Sequence, residues 1–402
     1  MKILIHDFAG HPFQVALSRE LANRGHVVTH AYFAEDPGPK GDMQNYRSNS
    51  GAVYMRPLSV GRQYSKGNFL SRLLLDLRYR SVLAGAIQAE AFDIVLSSNT
   101  PTWVQGRALS ASHQIGASFI YWCQDFYSIA VGSIFRKKLG RLGGLIEKCL
   151  FMWDKPQIRK SDHVINITPA FTDLMREWCN IENISEIRNW GALAEIPIQK
   201  ADSTWLQEHA IPLDRPRVIY SGTLGLKHNP ELIIKAAQAN PEATFVVVAS
   251  GIGVSALDTS ATPNLIVLPL QPIEAFPSVL ASADVLIAMI ESDAGGFSVP
   301  SKILSYLCAG RPIVMSAPEN NVASQTICEA SAGVVVPPDD SRAFVDEVKH
   351  LLSDIDRRDA MGRRGRSFAE AQFDIRNIAD QFEGIFDSAR SHVLTSSDGP
   401  SS

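Results

Sequence analysis

The sequence has no apolar run approaching the ~20 residues that a helix needs to cross a bilayer. Met1-Lys2 leads straight into Ile3-Leu4-Ile5, without the basic, apolar and small-residue succession of a secretory leader. This reads as a cytoplasmic protein, able at most to rest on the inner face of the cell membrane. Cysteine is scarce and scattered. Cys123, Cys149, Cys179, Cys308 and Cys328 form no Cys-x-x-Cys pair, which argues against a zinc site or a disulfide framework. Basic charge is not in excess: the net charge is -4, which argues against nucleic acid as a main partner. A Gly-x-Gly-x-x-Gly fingerprint is missing after the first strand, which disfavours a nicotinamide-dependent oxidoreductase.

What is present describes a soluble α/β chain. A hydrophobic content of 45% and a charged content of 20% are ordinary for globular proteins, and 402 residues exceed one typical domain. Lys2–Phe8 reads as a strand, Phe13–Arg24 as a helix closed by Gly25, and Val27–Tyr32 as a second strand. This β-loop-α-β opening indicates a doubly wound parallel sheet. Leu70, Leu73, Leu74 and Leu77 start an amphipathic helix, and a second helix runs on to about Ala91. Phe92–Asn99 and Ser118–Asp125 are buried strands with polar carboxyl ends, the ends that face ligands in such sheets. His11 stands in the first loop, where the residues alone read it as a solvated turn histidine. Asp125, the polar end of the second of these strands, is a candidate site residue or else a helix N-cap. Arg363, Arg364 and Arg366 read as a solvated helix face, and the small, polar tail 391–402 as disordered.

The most informative stretch is Ser298–Val314. Ser298 is a plausible N-cap, Pro300 suits a first helical turn, and Ile303, Leu304 and Leu307 recur at helical spacing. Gly310 ends the helix and Pro312 prevents its continuation. Upstream, Gly295 and Gly296 allow close backbone approach. Such a loop at a helix N-terminus is a natural seat for phosphate, to which Lys302 adds a full charge. The other reading is an ordinary strand–loop–helix without ligand. A second strand–glycine loop–helix unit begins at Arg217, with Gly222, Thr223 and Lys227 in its loop, and Phe245–Gly253 adds another glycine loop at Gly251.

These residues carry a resemblance. Pro-Ser-Lys-x-Leu-x-Tyr-Leu-x-Ala-Gly-Arg-Pro is similar to the donor-binding helix of retaining glycosyltransferases of family 4, in the branch that builds bacterial surface polysaccharides. Two glutamates of the family pattern are replaced. Phe297 stands at the position that contacts the donor sugar, and Ser305 at the one that holds the ribose; Glu291 and Asp293 lie just upstream. Gly222, Thr223 and Lys227 resemble the family's phosphate loop, with Thr223 in place of its arginine. Gln124-Asp125 resembles its His-Asp position near the donor sugar.

The resemblance implies a GT-B fold, two Rossmann-like α/β domains facing a cleft. It implies an acceptor-side domain over 1–198, joined by a returning terminal helix at 373–390, and a nucleotide-sugar domain over 199–372. It implies a hexosyl- or N-acetylhexosaminyltransferase acting with retention on a UDP-linked sugar, with no cofactor and no required metal. Asp125, His11 and Lys302 would work at the reacting centre. A sugar-nucleotide epimerase on the same fold and a non-catalytic sugar-nucleotide-binding protein remain as alternatives.

One segment points to a membrane. In 131–160, Arg136, Lys137, Lys138, Arg141, Lys148, Lys155, Arg159 and Lys160 oppose only Glu147 and Asp154. Phe135, Leu139, Leu142, Ile146, Cys149 and Trp153 form a helical apolar stripe. A basic amphipathic segment reads as an anionic-membrane contact beside a lipid-linked saccharide acceptor, or as a packed helix with a solvated basic face.

Overall fold

The computed structural model describes residues 1–36, 40–61, 69–126, 128, 132, 135–136, 140–225, 228–292 and 301–397, with only the backbone at 69–72 and 392–397. The chain divides into two compact units, Met1–Arg188 with Ile375–Ser402, and Asn189–Asp374.

The first unit holds an eight-stranded sheet. Its strands are β1 (Lys2–Asp7), β2 (Val27–Phe33), β3 (Tyr46–Arg47), β4 (Ala52–Leu58), β5 (Ile94–Ser98), β6 (Ser118–Cys123), β7 (His163–Asn166) and β8 (Ile184–Glu186). They are ordered β3-β4-β2-β1-β5-β6-β7-β8, with β3–β4 antiparallel. The central strands are apolar runs because helices cover both faces; Ile3, Leu4, Ile5, Val95 and Leu96 are fully buried. Strand order reverses at β1, so the carboxyl ends of β1 and β5 form a topological switch point, where open α/β sheets bind ligands. Registry aligns Asp7 with Ser98 and Ser98 with Trp122 across β1, β5 and β6.

The second unit holds a six-stranded sheet of β9 (Arg217–Thr223), β10 (Thr244–Ser250), β11 (Leu265–Leu268), β12 (Val285–Met289), β13 (Ile313–Ser316) and β14 (Gly333–Val336). Its order is β11-β10-β9-β12-β13-β14, with every pair parallel. Here the switch point lies between β9 and β12.

Several expectations are revised. One continuous helix, Phe69–Gln88, replaces the two read from sequence, since neither Pro nor Gly interrupts it until Gly85. Arg366 is not solvated: it donates to the carbonyls of Ile196 (2.8 Å) and Cys308 (2.7 Å). The terminal helix, Ile375–Ser397, runs beyond the expected 373–390 into the tail read as disordered, and it belongs to the first unit as expected, where Phe382 packs edge-on against Trp122 at 4.9 Å.

The helix Arg141–Lys160 has two unlike faces. Gly143, Leu150 and Ile158 are buried. Leu142, Leu145, Met152 and Trp153 are 60–71% exposed, and Cys149 is exposed beside them. Arg141, Lys148, Arg159 and Lys160 are exposed on the same helix. Of the stripe read from sequence, Leu142, Cys149 and Trp153 therefore face solvent, while Phe135 and Ile146 are half-buried. Lys137, Lys138 and Leu139 lie outside the described residues. None of the described helices is long and apolar enough to cross a membrane.

Candidate active site

In the second unit a cationic site forms where β9 ends. Val218–Tyr220 is an apolar strand stem, and Gly222 then adopts φ 128°, open to glycine but strained for other residues. A Cβ on Gly222 would stand 3.3 Å from both Cε and Nζ of Lys302. Lys302 opens the helix Lys302–Ala309, which Gly310 ends in the left-handed conformation at φ 64°. Ser301 precedes this helix without a side-chain cap. Ser298, Pro300, Gly295, Gly296, Phe297 and Asp293 lie outside the described residues, as does Lys227.

The Lys302 ammonium lies over the Tyr220 ring, 3.7 Å from its centroid, and has no hydrogen-bond partner among the described residues. Its stem is partly exposed while the nitrogen is buried. Burial lowers its pKa from 10.5 to about 7. A buried, unpaired cation is unfavourable unless an anion completes it. Tyr306, one helical turn on, braces the site from below. It accepts the Ser221 N–H at 3.0 Å and lies 3.3 and 3.4 Å from the carbonyls of Ser221 and Ile287, which ties β9 to β12. Gly251 (φ 111°) lets the β10 loop close on the β9 loop, since a Cβ there would meet the Leu224 carbonyl oxygen at 2.6 Å. Gly253 N–H donates to that carbonyl at 2.9 Å. Thr223 is exposed at the rim, and Ser305 is half-buried on the helix that carries Lys302. Glu291 is half-buried at the end of β12. Lys302, Gly222, Thr223 and Gly251 are thus brought to one edge of this sheet.

A second polar cluster lies at the β1–β5 switch point of the first unit. Asp7 is fully buried and accepts from the backbone of Ala9 (3.2 Å) and His11 and from the Asn99 amide (3.2 Å). His11 Nδ1 lies 3.1 and 3.2 Å from its two oxygens. Burial alone would raise the Asp7 pKa, but the His11 hydrogen bond and charge hold it down at about 2. For His11 burial opposes the charged ring, yet the bond to Asp7 and the charges of Asp7, Asp36 and Asp125 raise its pKa above 6.5. Asp125 is exposed beyond β6 and acts on His11 through its charge; Gln124 is buried beside it. By contrast, His6 is spent inside the unit on Ser97 (3.0 Å) and Tyr79 (2.9 Å), and burial lowers its pKa to about 3.

The sequence reading missed Tyr220 and Tyr306, and Asp7 and Asn99. A polar residue closing an apolar strand was the available signal for Asp7, as it was for Asp125. Among the described residues no group of His, Cys, Asp and Glu is arranged to hold a metal ion.

Comparison with known proteins bears on these sites. Residues 202–368 match the model for Glycosyl transferases group 1. A putative colanic acid biosynthesis glycosyl transferase, WcaI of Escherichia coli K12, is 24% identical over 278 residues, covering 66% of this chain and 67% of that protein. An alpha-D-kanosaminyltransferase of Streptomyces kanamyceticus is also 24% identical, over 58% of this chain and 62% of its own. Among solved structures, sucrose-phosphate synthase of Thermosynechococcus elongatus superposes with a TM-score of 0.76 at 15% identity, covering 98% of this chain and all of that one. HepE of Anabaena, solved with UDP and glucose, superposes with a TM-score of 0.68 at 15% identity, covering 96% and 100%. The chain has the GT-B fold, residues 202–368 of its second unit match the group 1 glycosyl transferase model, and the protein is a glycosyltransferase.

Proposed function

We propose that this enzyme moves a sugar from a nucleotide-diphosphate sugar, UDP-linked, to a saccharide acceptor. The observation that carries the donor reading is the buried, unpaired Lys302 ammonium against Gly222. A diphosphate at the β9–β12 switch point supplies the missing counter-charge. Lys302 then neutralises the leaving group as its bond to the sugar breaks. Helix dipole and lysine charge do this work without a required metal. The solved complexes of HepE with UDP and with UDP-glucose support uridine as the base. Calorimetric titration with UDP and GDP, with and without EDTA, tests the nucleotide and the metal independence together.

The acceptor is a lipid-linked saccharide in surface-polysaccharide assembly, and transfer proceeds with retention, as in family 4. The name of WcaI supports the pathway. The exposed Leu142, Leu145, Met152 and Trp153 beside Arg141, Lys148, Arg159 and Lys160 support contact with an anionic bilayer at the inner membrane face. Vesicle binding and the anomeric coupling constant of the product test these points.

A further inference from the structure

We propose that the second unit holds an anion site at the amino edge of its sheet, built on Arg311, Arg358 and Arg363 and suited to the phosphate dianion of a phosphomonoester. It is separate from the site at Lys302 and does not rest on the donor reading.

Chain order sets the place. Arg217 opens β9, Asp284 stands just before β12, and Arg311-Pro312 stands just before β13. All three lie at the amino ends of parallel strands, whereas Gly222 and Thr223 end β9 at the opposite edge, where Lys302 sits. The helix Lys302–Ala309 runs between these edges, with Lys302 at its start and Arg311 just past its end. A second helix, Ile355–Gln372, approaches Gly310 closely because residue 362 is glycine: a Cβ there would collide with the Gly310 carbonyl oxygen. Arg358, Gly362 and Arg363 share one face of that helix, so the close approach brings both arginines to Arg311.

Two cavities adjoin at this edge, of about 340 and 390 Å³, with Ile198, Asp284 and Arg311 in the walls of both. Each is of the size that holds a small molecule.

Two arginines of these walls are structural. Arg217 donates from Nε to the Ser282 carbonyl at 2.7 Å and pairs with Asp284 at 3.3 Å. Arg366 bonds Glu370 through Nε at 2.7 Å and covers the Cys308 carbonyl at the negative end of the helix Lys302–Ala309. Arg311 differs from both. One of its terminal nitrogens donates to the carbonyls of Gln199 (3.1 Å) and Ala281 (2.5 Å), but its Nε is buried with no partner among the described residues. Burial lowers the Arg311 pKa, and Arg217 and Arg358 add to this, while Asp284 and Asp359 act against it without offsetting it. Among the described residues, Arg358 reaches the Leu352 carbonyl at 3.5 Å and pairs with no carboxylate, and neither does Arg363.

Charge then points to the ligand. With Asp284 taken by Arg217, exposed Asp359 is the acid that remains in the wall beside Arg311, Arg358 and Arg363. Three cations against one anion leave an excess of two, the charge of a phosphate dianion. Guanidinium forks match phosphate oxygens in pairs, and a buried donor without an acceptor is completed by them.

The test uses the full chain and two probes that carry the same group. Glycerol 3-phosphate is titrated by calorimetry, and vesicles of phosphatidic acid in phosphatidylcholine are tested by flotation. The proteins are wild type, Lys302→Ala, and the double variant Arg358→Gln with Arg363→Gln, whose melting temperature without ligand should match wild type. Wild type and Lys302→Ala should bind alike, and the double variant should bind about tenfold or more weakly. Binding of the soluble ester assigns the site to a free metabolite, and binding of the vesicles alone, weakened in the double variant, assigns it to a lipid headgroup. Binding of neither probe, or equal binding by the double variant, overturns the proposal. So does binding that Lys302→Ala abolishes and the double variant keeps.

Discussion

Lys302 Nζ sits 3.7 Å from the centroid of the Tyr220 ring, so the one described cation at the β9–β12 edge rests on an aromatic face rather than on a carboxylate. The ring offers its electrons at little desolvation cost. It does not neutralise the charge, and burial holds the pKa at about 7. The site is left ready to gain a proton when a dianion arrives.

Proton uptake on nucleotide binding follows from this. At pH 8 free Lys302 is mostly neutral, and a bound diphosphate favours the charged form. Titration with UDP in buffers of different ionisation enthalpy should show net proton uptake, absent in Lys302→Met. The stability sign agrees. The folded pKa lies below the unfolded 10.5, so the folded state binds fewer protons between about pH 7 and 10.5. The destabilising contribution of Lys302 is full below pH 7 and is relieved as pH rises through that window. Lys302→Met should flatten this part of the stability profile.

Gly222→Ala should cost about 1–3 kcal/mol, because φ 128° is strained for alanine. Its Cβ would also press on the end of Lys302. Chemical denaturation reads the first effect and UDP affinity the second. A variant as stable as wild type would mean that the loop relaxes freely.

Tyr306→Phe removes the hydroxyl that accepts the buried Ser221 N–H. Leaving that donor unpaired should destabilise the protein by about 1–3 kcal/mol. Urea unfolding measures it, and UDP affinity should also fall as β9 and β12 loosen.

Acid should reveal the Asp7–His11 pair. The folded pKa of Asp7 is lowered to about 2 from 3.8, so its stabilising contribution is present above 3.8 and lost as pH falls toward 2. His11 is raised, so its contribution is full below 6.5 and lost as pH rises through its folded value. Melting temperatures of Asp7→Asn should vary less with pH across both windows than those of wild type.

Much of this was legible in the sequence. The central strands of both sheets announced themselves because buried parallel strands are uniformly apolar, and Gly310-Arg311-Pro312 marked a helix end that the structure places at Gly310. Lys302 was legible as a charge next to a glycine-rich loop. What sequence could not carry was geometry that depends on distant residues. Tyr220 and Tyr306 read as core aromatics, and only the pairing of β9 with β12 gives their hydroxyls and faces a role. Asn99 showed no sign of its positive φ, and Asp7 gained its meaning from a turn that brings His11 back over it. The basic segment was legible in composition, but which face of the helix Arg141–Lys160 is packed depends on the neighbours of Gly143, Leu150 and Ile158.

That helix gives a further prediction. Trp153→Glu, at a position 60% exposed, should leave thermal stability unchanged and weaken binding to anionic phospholipid vesicles at least tenfold. Equal binding of the variant and wild type in a flotation assay would contradict membrane contact through this face.

The most direct test of the central claim is calorimetric titration of UDP into the wild type and Lys302→Ala at neutral pH. The account predicts that UDP binds and that the substitution weakens it at least tenfold, about 1.4 kcal/mol. Equal affinity in the two proteins, or no binding by the wild type, would contradict a diphosphate site at Lys302.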